Sequence, residues 1–211
     1  MQQLAPNVEA TSRRFSPGQA PSPGGAHLAP SFVRTGMSNT NLCIFDPQRQ
    51  YRYLLTHRWD SELPLAVWIG LNPSTADEYT LDLTLKKIRG FTERQGLGGF
   101  AVVNLYAWRS TDPAQLATVS DPIGPRNDAV IQSTLQAKNI GMIIPCWGST
   151  LPLPPAAGIL STAVRIGEVM AMLPRTHYCL GLTKNGQPRH PSRLAYDTPF
   201  VPFQKTSGAR E

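Results

Sequence analysis

Cysteine is scarce in this chain. Cys43, Cys146 and Cys179 are the only three in 211 residues, they lie far apart, and none forms a CxxC pair. An odd, scattered set argues against a disulfide framework or a structural zinc site and fits a reducing compartment such as the cytoplasm. No apolar run reaches the roughly 18 residues a membrane-spanning helix needs, so a spanning protein is excluded. Familiar catalytic signatures are missing too. There is no GxxxxGK(S/T), hence no P-loop, and GLGG at Gly96–Gly99 follows a helical pattern instead of opening one, unlike a dinucleotide fingerprint. GxSxG is absent, which weakens a serine-hydrolase reading. His27, His57, His177 and His190 have no metal-ligand spacing, so neither metal nor cofactor is expected. Cys146, in PCWG at the end of an apolar run, reads as a small buried hydrophobe before it reads as a nucleophile.

Proline (20) and glycine (17) are abundant, and they crowd the start of the chain. Residues 1–40 show no sustained periodicity and cannot bury enough apolar surface to offset their conformational entropy, so a disordered tail is expected. This segment has no apolar h-region of a secretory signal. Arg13, Arg14 and Arg34 with few acids give it a slight transit-peptide character, which its Pro and Gly oppose. Met37, just before the ordered pattern, is an alternative start. The formal charge of +6 comes from 20 Lys+Arg against 14 Asp+Glu. About half of it lies in residues 1–40 and in the last eight, which are also expected to be disordered. The charge permits an anionic partner but names none.

The core, residues 41–203, reads as a single α/β domain. LCIF (Leu42–Phe45) and YRYLL (Tyr51–Leu55) flank the turn-rich DPQRQ and predict a β-hairpin. LAVWIGL (Leu65–Leu71) predicts a buried strand. Leu81, Leu85, Ile88 and Phe91 recur at helical steps, predicting a helix over Thr80–Gln95 that the following glycines stop. The alternation continues through a strand at Phe100–Tyr106, a short helix in DPAQL, and a helix at Pro125–Lys138. A strand at Gly141–Trp147, a helix at Gly158–Leu173 and a strand at His177–Leu182 complete it. Apolar strands alternating with helices predict a mostly parallel central sheet covered on both faces, with the antiparallel hairpin at one edge. In such sheets ligands collect at the carboxyl ends of the strands.

Three polar segments occupy such positions. IGLNPSTAD (Ile69–Asp77) leaves a strand toward a helix. Pro73 stiffens it, Gly70 allows close backbone approach, and its N–H groups suit an oxygen-rich ligand. Ser74-x-x-Asp77 equally resembles a capping box, and Asn72 equally suits a turn cap. LTKNGQPRHPSRL (Leu182–Leu194) gathers Lys184, Arg189, His190, Ser192 and Arg193, with His190 held extended by Pro191; a loop histidine is also often merely exposed. VVNLYAWRSTDP (Val102–Pro113) places Asn104 in a strand, where a buried amide must find partners, either backbone groups or the edge of a base. Arg109 suits phosphate or solvent.

Two resemblances arise from these residues. RYLLTHRW (Arg52–Trp59), IGLNPSTAD, NLYAWRSTDP, GPRND (Gly124–Asp128), CWG (Cys146–Gly148) and LGLTKNGQPRHP (Leu180–Pro191) resemble the bacterial and phage family of domain of unknown function DUF1643, over about Arg52 to Phe203. The chain departs from that family at Leu83, where Pro is usual, and at Cys146, where Ala is usual. More distantly, Gly70-Leu71-Asn72-Pro73 and His190-Pro191-Ser192 are similar to the G-x-(D/N)-P and H-P-S motifs of the uracil-DNA glycosylase superfamily. That resemblance implies excision of a flipped base. Asn72 would hold the attacking water, His190 would stabilise the base anion, and Asn104 would read the base edge. Asp77 is the acid within the motif, and Gly70 and Pro73 shape the turn. Ser74, Arg109, Arg189, Ser192 and Arg193 would bind substrate, largely through phosphates, so DNA or a nucleotide is the expected partner. A non-catalytic nucleotide-binding module, and a hydrolase of another small substrate built on Ser74, Asp77 and His190, remain the alternatives.

Overall fold

The computed structural model describes residues 41–74, 76, 81–149, 161–174 and 176–204. The Pro- and Gly-rich start, the last seven residues, Asp77, and the expected helix starts at Thr80 and Gly158 lie outside the described residues.

Five strands form the main sheet: β1 (Leu42–Phe45), β2 (Arg52–Arg58), β3 (Leu65–Gly70), β4 (Gly99–Asn104) and β5 (Ile140–Pro145), in the order β1-β2-β4-β3-β5. β3 runs parallel to β4 and β5, whereas β2 is antiparallel to β1 and β4. The sheet is therefore mixed with a parallel centre, and the expected hairpin forms one edge.

The last expected strand is corrected by the structure. His177–Leu182 does not extend the main sheet; only Tyr178–Cys179 (β6) is extended, and it pairs antiparallel with Val201–Pro202 (β7). Two residues later Gly181 takes φ 83°, a left-handed conformation that turns the chain out of strand geometry.

Among the described residues three helices cover the sheet: α1 (Leu83–Arg94), α2 (Asn127–Leu135) and α3 (Thr162–Met172). α1 starts later than its apolar periodicity suggests because Asp82 is its cap, its carboxylate accepting the Leu85 N–H at 2.8 Å. DPAQL becomes a 3-10 turn at Pro113–Thr118, capped by Asp112.

Strand alternation sorts the core onto two faces. Ala66, Trp68, Phe100 and Val102 pack with Leu85, Ile88 and Phe91 of α1. Val67, Ile69, Ala101 and Val103 pack with Val130 and Ile131 of α2 and Ile166 and Val169 of α3. Each of the valines, leucines, isoleucines and phenylalanines among them contributes about 1.5–3 kcal/mol by leaving water. Trp68 also satisfies its indole N–H on Thr92 Oγ1 at 3.1 Å. From β3 the chain passes over the α1 face to β4, while from β5 it continues to α3 on the opposite face. The connections diverge beyond the carboxyl ends of β3 and β5, which leaves a crevice between them.

Candidate functional site

A cavity of about 320 Å³ occupies this crevice, on the α1 side. Gly70 and Asn72 reach it from β3, Asn104 from β4, Trp147 to Ser149 from β5, and His190 from the C-terminal segment. Ser74, Asp82, Thr84 and Arg52 complete its polar lining.

Asn104 is paired in register with Gly70 across the parallel β3–β4 ladder. By alternation both belong to the Trp68 and Val102 side of the sheet. A Cβ built on Gly70 would stand 2.6 Å from Asn104 Oδ1, so the glycine makes the room that the amide fills. Asn104 is only 3% exposed, yet its Nδ2 has no hydrogen-bond partner among the described residues. A buried donor left unmatched costs about 1–3 kcal/mol. Here it lines a cavity large enough for a small planar ligand.

Asn72 is held differently. Its Nδ2 donates to Ser110 O at 2.9 Å and to Pro73 O at 3.2 Å, while its Oδ1 accepts nothing from the described residues. The Ser110 N–H also donates to Pro73 O, so this buried proline and its turn are clamped against the segment after β4. The Ser74 hydroxyl donates to Asp82 Oδ2, and its oxygen accepts the Ala76 N–H at 3.3 Å. The capping acid is thus Asp82, and it is the carboxylate in the cavity lining.

His190 reaches the cavity through an ordered detour. Thr183 and Gln187 close the turn, with the Thr183 N–H donating to Gln187 O at 2.7 Å. The Trp147 indole N–H donates to Gln187 Oε1 at 2.9 Å, and the Gly148 N–H to Pro188 O at 2.9 Å. Gly148 takes φ 77°, and a Cβ there would lie 3.1 Å from that of His190. His190 Nδ1 accepts the Ser192 N–H at 3.4 Å and lies 2.9 Å from Ser192 Oγ. A backbone N–H can only donate, so the neutral ring carries its proton on Nε2. One edge of the residue is open to solvent, but desolvation of the rest lowers its pKa, opposed by the charge of Asp82.

Gly70, Asn72, Ser74, Asn104 and His190 therefore meet at one cavity, with Pro73 and Ser192 as supports. Arg109 does not line it: its guanidinium donates to Arg49 O at 3.0 Å and Ser74 O at 3.4 Å and packs over Phe45. Arg189 and Arg193 are exposed outside it. Ser74 donates to Asp82, not to His190, so the two do not form a nucleophile–base pair.

Sequence reasoning missed Arg52 and Asp82. Arg52 is 3% exposed and its Nη1 donates to Ala76 O at 2.7 Å; a lone arginine inside the apolar run YRYLL was its signal. Asp82 was signalled only as an acid heading an amphipathic pattern. Cys146 is fully buried against the cavity wall, and burial pushes its thiol up to about 12. Among the described residues no group of three His, Cys, Asp or Glu could hold a metal ion, and no helix is long and apolar enough to cross a membrane.

No curated protein and no solved structure matches the chain. A family model does, from Arg52 in the cavity to Ser192 beside His190. The matching family is described as protein of unknown function (DUF1643), over residues 52–192, and the chain belongs to it.

Proposed function

We propose that the cavity receives a single nucleobase presented by DNA and that the protein cleaves its N-glycosidic bond, on an architecture like that of uracil-DNA glycosylases. The observation that carries this reading is the unmatched Asn104 Nδ2, buried in a cavity shared with Asn72 and His190. A base edge supplies the acceptor that Nδ2 lacks, whereas an apolar ligand leaves the donor unsatisfied.

The residues divide the reaction between them. Asn72 Oδ1 accepts a hydrogen bond from water and orients it, but an amide is not a base. Asp82 takes the proton as the water oxygen bonds to the sugar carbon. The bond to the base breaks with its electron pair on the base, and His190 Nε2–H donates toward that developing charge. Ser74 fixes Asp82 in place.

Duplexes carrying uracil, hypoxanthine or modified pyrimidines test the reading. Wild type should yield abasic sites from at least one, with Asn72→Ala and His190→Ala at least about 100-fold slower. Absence of abasic product from every duplex, with affinity unchanged in both variants, counts against it. Tight binding without turnover makes the protein a base reader instead.

A further inference from the structure

We infer that the face built by α1 and the segment Arg189–Tyr196 is a docking surface for a nucleic-acid backbone, feeding the strand to the cavity. This rests on the reading above and adds to the motif residues Arg189 and Arg193 the cations of α1, which no motif contains. α1 carries Lys86, Lys87, Arg89 and Arg94 against one acid, Glu93, and Glu93 is bound to Arg89 at 2.8 Å. The C-terminal segment adds Arg189 and Arg193. Among the described residues none of Lys86, Lys87, Arg94, Arg189 and Arg193 pairs with a carboxylate.

The two segments come from distant parts of the chain but pack against each other, α1 against Pro191–Arg193 and Tyr196. Lys87 Nζ donates to Leu194 O at 2.8 Å, and Tyr196 Oη donates to Lys86 O at 3.4 Å. Tyr196 lies so close over Gly90 that a Cβ there would stand 2.5 Å from its ring. Lys87 and Arg94 sit 4.0 and 4.2 Å from the centre of the Tyr196 ring, and Arg94 also donates to Gly90 O at 3.0 Å. The ring and these carbonyls hold both cations in place without neutralising them. Of the described acids nearby, Asp82 binds Ser74 and the start of α1, and Asp197 forms no ion pair with a described residue. The start of α1 and His190 both line the cavity, so the basic face begins at its mouth. Fixed cations flanking a site for a base suit phosphates spaced along a strand.

The test is fluorescence anisotropy of labelled single- and double-stranded 20-mer DNA against the full chain, over a range of KCl concentrations. Lys86→Glu with Arg193→Glu should weaken binding at least about 10-fold at low salt and lower the salt slope by about two. Asn104→Ala should leave that slope unchanged, so a failed cavity reading shows separately from a failed surface. Wild-type binding that is absent or indifferent to salt overturns the inference. So does an unchanged double variant whose circular dichroism is native, or stronger binding to phosphatidylserine vesicles than to DNA.

Discussion

Asn104 and Asn127 are both buried asparagines, at the end of β4 and the start of α2, and each leaves one amide atom without a partner among the described residues, Nδ2 in Asn104 and Oδ1 in Asn127; what differs is the use of the NH2 group. On the α2–α3 face, Asn127 Nδ2 donates to Asn104 O at 3.0 Å and to Leu105 O at 3.1 Å. Arg165, with no exposed surface, donates to the same Leu105 O at 2.8 Å and pairs with Asp128 and Glu168. That side of the strand end is stitched to both helices. On the α1 face the Asn104 amide meets Gly70, an unmatched donor position and a cavity. One face secures the main chain of residue 104, and the other leaves its side-chain amide facing the cavity.

The largest expected contrast is in stability. Arg165→Met removes a buried guanidinium that joins α3 to Leu105 O and to Asp128 of α2, and should cost about 1.5–3 kcal/mol in urea unfolding, mainly through the lost charge-assisted bond to Leu105 O. Asn104→Ala removes a donor that was never satisfied and should cost about 1 kcal/mol or less. Equal losses would break the comparison.

Gly70→Ala is the next probe. Its new Cβ meets Asn104 Oδ1 at 2.6 Å, so the amide must move. Overpacking of this kind costs about 1–3 kcal/mol, and base binding should fall with it. Unimpaired binding would show that the position of the amide does not matter.

The histidines sharpen the contrast between a sealed and an open site. His57 stacks on Phe100 with centroids 5.5 Å apart, its Nε2 has no partner among the described residues, and burial lowers its pKa below 6.5, assisted by Arg89. His190 is lowered as well. For both, the unfolded chain takes up a proton first. Their stabilising contribution is present above pH 6.5 and is lost as pH falls through the lowered folded values. The urea midpoint should therefore drop on acidification from pH 7, and less so in His57→Leu. Asp82→Asn removes the negative charge that holds the His190 pKa up, so in NMR titration His190 should move further down while His57 stays.

The smallest effect concerns the thiols. Cys146, raised to about 12 by burial, should resist thiol reagents in the native protein, whereas the partly exposed Cys43 reacts first. Rapid labelling of Cys146 would mean that the cavity wall opens.

Much of this was legible in the sequence. LAVWIGL and FAVVNLY declared themselves as strands because both faces of the central strands are buried. Placement at strand ends then singled out Asn72, Asn104 and His190. The final strand was misread because apolarity in HYCLGL reports burial, and Leu180 is indeed buried, while sheet membership depends on the turn at Gly181. Arg109 looked like a ligand residue because its type suits phosphate; its use on the Arg49 and Ser74 carbonyls depends on a contact between distant segments. Asp82 was hidden for the same reason, since its bond to Ser74 joins residues eight positions apart, beyond the reach of a capping pattern.

The side-chain amide of Asn104 is the most direct witness. In a nitrogen–proton NMR titration with DNA carrying a cleavable or modified base, its Nδ2 resonance should shift on saturation, and Asn127 should stay nearly fixed. An Asn104 signal that does not move while the protein is saturated with DNA would contradict the claim that this donor awaits a base.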